Sequence, residues 1–163
     1  YVLPSIEIVD SRVTDWKITI ADTIADNASS SAVVLGARPT RLTEVDPALV
    51  GAVLRRNGVV LETGCSGAVL GNPVTAVAWL ANKVAQFGVT LEPGHVIMPG
   101  SCTRMVPIAV GDTIRADFDR LGSVLGTVEQ VRLLVEGFKV FHALLRGETC
   151  AAKKPGFSVT MRA

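Results

Sequence analysis

The chain has 163 residues, of which 48% are hydrophobic and 19% charged, with a formal net charge of +1. That balance allows one domain with a real core and gives no electrostatic case for a nucleic-acid or membrane-surface partner. No apolar run reaches the ~18 residues needed to span a bilayer, and the opening residues lack the basic and apolar regions of a secretion signal. The three cysteines, Cys65, Cys102 and Cys150, are widely spaced. Without a Cys-x-x-Cys pair they are expected to be free thiols in a reducing cytoplasm.

The first element expected is a strand in Pro4-Ser5-Ile6-Glu7-Ile8-Val9-Asp10-Ser11-Arg12. The period of two sets Glu7 on the opposite face from Ile6 and Ile8. If the isoleucines face the core, Glu7 faces a cleft or solvent. If both faces are covered, it is a buried carboxylate that needs a metal, a cation or donors. The chain starts at Tyr1, without Met, directly in this strand-like run, as expected of a fragment.

Trp16, Ile18 and Ile20 alternate with Lys17 and Thr19, which predicts a second strand. Residues 25–31 are small and polar, a predicted loop with accessible backbone donors, and a short strand follows to Leu35. Residues 37–47, with Pro39 and Pro47, form a predicted surface connection. Two β-prone runs then flank Arg55-Arg56-Asn57-Gly58, and Asn-Gly predicts a hairpin because both residues tolerate positive φ. Asn72 is a predicted N-cap, Pro73 the first helical residue and Gly88 the stop. Val74, Val77, Leu80, Ala81, Val84 and Phe87 recur at helical spacing as a buried stripe.

Glu92-Pro93-Gly94-His95 predicts a turn with His95 as a turn residue, Val96-Ile97-Met98 a strand, and Pro99 to Thr103 a loop open to a ligand. After a turn at Ala109 to Asp112, Ile114, Ala116 and Phe118 alternate with charged residues as a half-exposed strand. Beyond Gly126 an amphipathic helix and then a short basic tail are expected. Short strands, glycine turns and one or two helices together predict an α+β domain with a curled mixed sheet.

Several of these words, in this order, resemble the 2-keto-4-pentenoate hydratase / 4-oxalocrotonate decarboxylase family of the fumarylacetoacetate hydrolase superfamily. They are Pro-Ser-Ile-Glu-Ile-Val-Asp-Ser-Arg, Asp-Trp-Lys-Ile, Ala-Asp-Asn-Ala-Ser-Ser, Glu62-Thr63-Gly64, Ala68 to Pro73, Ala78 to Lys83, Val96 to Ser101, Ala109 to Asp112 and Leu121 to Val124. The resemblance implies a β-roll of the superfamily's C-terminal type with one or two packed helices. It divides the chain into a hydratase-like portion, 1–124, and a divergent helix and tail, 125–163.

The resemblance also implies a function. Family hydratases add water to 2-hydroxypenta-2,4-dienoate, giving 4-hydroxy-2-oxopentanoate in aromatic meta-cleavage catabolism, and the decarboxylases remove CO2 from 4-oxalocrotonate. Both use Mg²⁺ or Mn²⁺, which can chelate the substrate's carboxylate and 2-oxygen and stabilise an enolate. Glu7 matches a metal carboxylate of the family. Lys17 matches a lysine many members carry and is the expected catalytic residue. Asp26, Asn27 and Ser29 match one substrate loop, Ser101 and Thr103 another.

The resemblance places two further metal carboxylates in an upstream Glu-x-Glu pair, and no Glu-x-Glu occurs in this sequence. The chain is therefore expected to be the C-terminal portion of a cytoplasmic hydratase, working as a homo-oligomer or in a hydratase–decarboxylase complex. A decarboxylase, a non-catalytic assembly subunit and a binding domain are the alternatives.

Overall fold

The computed structural model describes residues 1–128. These residues contain two antiparallel sheets, two α-helices and three single-turn 3-10 helices, joined by irregular chain. Strand β1 (Ser5–Val9) pairs with β2 (Ser30–Leu35), placing Glu7 opposite Val33. Helix α1 (Ile20–Ala25) lies between them in sequence. Strands β3 (Gly51–Arg56), β4 (Val59–Cys65), β5 (Thr113–Phe118) and β6 (Gly122–Thr127) form the second sheet in the order β4-β3-β5-β6. Helix α2 (Pro73–Ala85) is inserted between β4 and β5. The α+β class expected from the sequence is the one observed.

The second sheet follows from local chemistry. Asn57 and Gly58 have φ of 52° and 83°, the left-handed pair that a two-residue hairpin requires. The Asn57 side chain adds a tie of its own: its amide donates to Asp112 at 2.7 Å, and its carbonyl accepts from the Thr113 amide at 2.8 Å. On β5, Ile114 and Ala116 are buried while Arg115 is exposed, as the alternation predicts. Val45, Val50 and Leu121 form a core cluster, with Val2 and Phe118 packed against it. Strand β6 runs through Thr127, so Leu125 to Thr127 continue the ladder begun at Gly122. The helix expected after Gly126 and the basic tail lie, beyond Val128, outside the described residues.

Three expectations are corrected. Residues 16–20 are not a strand. Asp15 and Trp16 both have positive φ, and Lys17 (φ −77°, ψ 64°) is the centre of an inverse γ-turn closed by the Ile18 amide donating to Trp16 O at 2.8 Å. Thr19 then caps α1: the Asp22 carboxylate accepts from the Thr19 amide at 2.8 Å, and the Thr19 hydroxyl accepts from the Asp22 amide at 3.3 Å. This reciprocal cap, available from Thr-x-x-Asp, outweighs a weak β alternation. Val96-Ile97-Met98 has no regular structure and pairs with no strand among the described residues. A strand needs an edge to pair with, and an apolar triplet alone does not supply one.

The apolar stripe of α2 is the third correction. The N-cap is as expected, with Asn72 Oδ1 accepting from the Val74 amide at 2.9 Å and Pro73 in the first turn. Yet no residue of the helix is buried: Val77, Leu80, Ala81 and Val84 are half-buried, and Phe87 beyond it is 74% exposed. Helical spacing fixes which side chains share a face, but covering that face takes a neighbour, and no described element packs along it.

Candidate functional site

Glu7 lies mid-strand on the open face of the β1–β2 ribbon, exposed, beside Val33. Ile6 and Ile8 face the other way with Ala32, which is buried. Of the two placements open in the sequence, the structure has the cleft-or-solvent one. The register of the ribbon shifts after Ile8, so Val9 pairs with Ser30. Past the end of β1, the Asp10 amide donates to Ser29 O at 2.9 Å. The strand carrying Glu7 is thereby tied to the loop carrying Asp26, Asn27 and Ser29.

That loop is wound left-handed. Asn27, Ala28 and Ser29 have φ of 51°, 56° and 57° in succession, a conformation that for residues with a Cβ costs on the order of 1 kcal/mol each. Asn27 and Ala28 are exposed, whereas Ser29 is 2% exposed. The Ser29 hydroxyl makes no hydrogen bond of normal geometry, though it lies close enough to the Asp26 carboxylate to favour its ionised form.

The loop is held by Arg12. Its Nε is ion-paired to Asp26 Oδ1, and a terminal nitrogen donates to the Asp26 carbonyl. The other terminal nitrogen donates to Asp10 O at 3.1 Å and Ser30 O at 2.7 Å, and the Arg12 amide donates to Asp26 Oδ2 at 3.2 Å. The Asp26 side chain is only 10% exposed. Desolvation pushes its carboxyl up, but the Arg12 hydrogen bonds and charge, with Ser29 beside it, outweigh that and hold it below the usual carboxylate range. Both Asp26 oxygens are thus occupied by Arg12. Sequence reasoning passed over Arg12, and the available signal was a cation directly after the strand in Asp-Ser-Arg.

Lys17 projects from its γ-turn with its side chain 79% exposed and its ammonium 3.5 Å from Asp15. Ser101 and Thr103 sit elsewhere, on the loop that crosses β4. The Ser101 hydroxyl donates to Thr103 O at 2.7 Å and accepts from the Thr103 amide at 3.3 Å. The loop lies on the backbone of β4, where a Cβ on Gly64 would stand 1.9 Å from Cys102 O. Burial, with Cys65 nearby, pushes the Cys102 thiol up. His95 is exposed and closes its own turn, its Nδ1 accepting from the Glu92 amide at 3.0 Å.

The structure therefore brings Asp26, Asn27 and Ser29 together and sets Glu7 on the adjoining strand. No hydrogen bond or ion pair joins Ser101 or Thr103 to that group among the described residues. A shallow cavity of about 140 Å³, lined by Val45, Asp46, Leu49, Val50, Asp119 and Arg120, contains none of these residues. Among the described residues no three His, Cys, Asp or Glu side chains cluster to hold a metal ion. A hard divalent cation takes about six oxygen ligands. Glu7 alone does not fit that demand. No helix among the described residues is long and apolar enough to cross a membrane.

The model of the fumarylacetoacetate (FAA) hydrolase C-terminal family matches residues 3–129. The chain is 43% identical over 130 residues to a 2-oxo-hept-4-ene-1,7-dioate hydratase of Escherichia coli, covering 76% of this chain and 49% of the relative. It is 43% identical over 127 residues to a 2-keto-4-pentenoate hydratase of Burkholderia vietnamiensis, covering 78% and 48%. A solved structure of 4-oxalocrotonate decarboxylase from Pseudomonas putida G7, complexed with magnesium and adipate, superposes with a TM-score of 0.72 at 42% identity, covering 76% of this chain and 47% of that one. The chain spans about half the length of the relatives it matches.

Proposed function

The chain belongs to the fumarylacetoacetate hydrolase C-terminal family, and from that premise we propose that it forms part of a hydro-lyase adding water to 2-hydroxypenta-2,4-dienoate to give 4-hydroxy-2-oxopentanoate. The observation that carries this reading is the hydrogen-bonded junction of the Glu7 strand with the left-handed loop Asn27–Ser29, in a chain 43% identical to a named 2-keto-4-pentenoate hydratase. A decarboxylase acting on 4-oxalocrotonate is the second reading, favoured by the solved structure above.

Under this proposal Glu7 gives one carboxylate to a divalent-ion site, Mg²⁺ or Mn²⁺. The remaining ligands are not among residues 1–128, so no step is assigned to the ion. Asn27 and Ala28, the exposed residues of the 27–29 loop, meet the acid substrate. Ser101 and Thr103 contribute hydroxyls from the second loop. Lys17, whose ammonium lies 3.5 Å from Asp15, is the group assigned to proton transfer at the diene. The cytoplasm and assembly as a homo-oligomer, or in a hydratase–decarboxylase complex, complete the proposal. Its hydratase-like portion is taken through the end of β6, at Thr127, with the divergent helix and basic tail after it.

The test is turnover of 2-hydroxypenta-2,4-dienoate by the complete hydro-lyase of which this chain forms part, followed as loss of diene absorbance with Mn²⁺ and with EDTA, in wild type and Glu7→Gln. Metal-dependent turnover lost in Glu7→Gln is the expected outcome. Turnover unaffected by EDTA and by the substitution overturns the metal requirement and the assignment of Glu7, and absence of turnover overturns the reaction.

A further inference from the structure

The guanidinium of Arg12 holds both ends of a strained segment. Asp26 precedes the left-handed run Asn27–Ser29, and Ser30 follows it. Arg12 donates to the side chain and carbonyl of Asp26 and to the carbonyl of Ser30, and it reaches back to Asp10 O at the end of β1. One planar group therefore fixes the entry and exit of the loop against the strand that carries Glu7. Three consecutive residues with a Cβ do not stay left-handed without such over-determination. The clamp is not a core contact: the Arg12 side chain is 37% exposed, and Asn27 and Ala28 are exposed.

We propose that Arg12 is a positioning residue, whose guanidinium sets the left-handed loop Asn27–Ser29 relative to Glu7. This rests on the hydratase reading above, since the loop is the part of the site that meets substrate there. It deepens that reading by naming a residue that touches neither substrate nor ion. The geometry demands arginine rather than any cation. Its donors diverge in a fixed plane to four acceptors, Asp26 Oδ1, Asp26 O, Asp10 O and Ser30 O. A lysine ammonium is a point charge on a flexible stem and does not span them. Charge alone is therefore not enough, and Arg12→Lys becomes the informative variant, since it keeps a cation at this position while removing the planar fork.

The experiment uses the complete hydro-lyase of which this chain forms part, as wild type, Arg12→Lys and Arg12→Ala. Amide hydrogen exchange at residues 27–30 reads the clamp whether or not substrate turns over. Turnover of 2-hydroxypenta-2,4-dienoate with Mg²⁺ reads its consequence. In Arg12→Lys, exchange at 27–30 should rise about tenfold and kcat should fall about tenfold, with KM changed by less than about threefold. Millimolar guanidinium should restore part of kcat in Arg12→Ala and none in wild type, a rescue that a general loss of stability does not produce. Unchanged exchange in Arg12→Lys overturns the clamp. Faster exchange with normal kcat overturns the positioning role while the hydratase reading stands. A wild type without turnover overturns the hydratase reading and the role together, and the exchange comparison then reports a clamp that is structural only.

Discussion

Gly64→Ala tests how the Ser101–Thr103 loop is seated. A Cβ at Gly64 would lie 1.9 Å from Cys102 O, 2.8 Å from Cys102 C and 3.2 Å from Thr103 Cγ2. Ordinary contact starts at 3.4 Å, so the nearest pair must separate by about 1.5 Å (3.4 − 1.9). Neither side yields easily. Gly64 is held in register opposite Ala52, which also pairs with Phe118 on β5. The two nearest opposing atoms are backbone, so no rotamer change relieves the clash. Overpacking usually costs about 1–3 kcal/mol, and a backbone clash belongs at the upper end, about 3 kcal/mol. For a chain of this size that lowers Tm by about 6–12 °C. The control is Gly51→Ala, where a Cβ meets nothing within 4 Å, and a shift within about 0.5 kcal/mol is expected. The assay is thermal unfolding by circular dichroism, with KM for the dienoate as a second readout because the displaced loop carries Ser101 and Thr103. Equal Tm values for the two variants would refute the seating of this loop on β4.

Ser66→Ala removes a hydroxyl that accepts from the buried Val50 amide at 2.9 Å, while the Ser66 amide donates back to Val50 O at 2.8 Å. The stranded Val50 N–H should cost about 1–3 kcal/mol by denaturant unfolding, and a loss under about 0.5 kcal/mol would show that another acceptor takes over. Asp112→Asn reports on acid stability. The Ala109 amide, then the Asn57 amide group, hold the Asp112 carboxyl below its ordinary value of 3.8, with the Arg56 charge assisting. A lowered folded-state pKa gives stability that is present above 3.8 and lost as pH falls through the folded value. Below about pH 4 the wild type should therefore lose stability more steeply than Asp112→Asn, and parallel acid titrations would refute the assignment.

The sequence disclosed those parts of the fold that local chemistry decides. Asn57-Gly58 specified its hairpin, Asn72-Pro73 its helix start, and the alternation of Ile114, Ala116 and Phe118 its strand, because each signal is satisfied within a few residues. The failures have two sources. The Trp16–Ile20 alternation lost to a γ-turn at Lys17 and a cap at Thr19, two local hydrogen-bonded devices that pattern counting ignores. The strand expected at Val96 to Met98 lacked an edge, and the α2 stripe lacked a cover. Both depend on neighbours that no window of sequence contains.

The candidate site was legible as residues but not as an arrangement. The quoted words gave Glu7, Asp26, Asn27 and Ser29, yet nothing in them indicates that three successive residues adopt positive φ, because the usual marker of that conformation is glycine and none stands there. The cost of such a backbone has to be met by contacts elsewhere, and those contacts are Arg12's. A residue that organises a site from behind leaves a weaker trace in sequence than one that does chemistry, since a cation after a strand usually reads as a solvated end. Asp26 illustrates the converse. Its place in the loop word suggested a substrate contact, but both of its oxygens already accept from Arg12. Any role for Asp26 in binding then passes through the shape of the loop. Asp26→Asn and Arg12→Lys should for that reason loosen the same 27–30 amides, although only one of the two changes a charge.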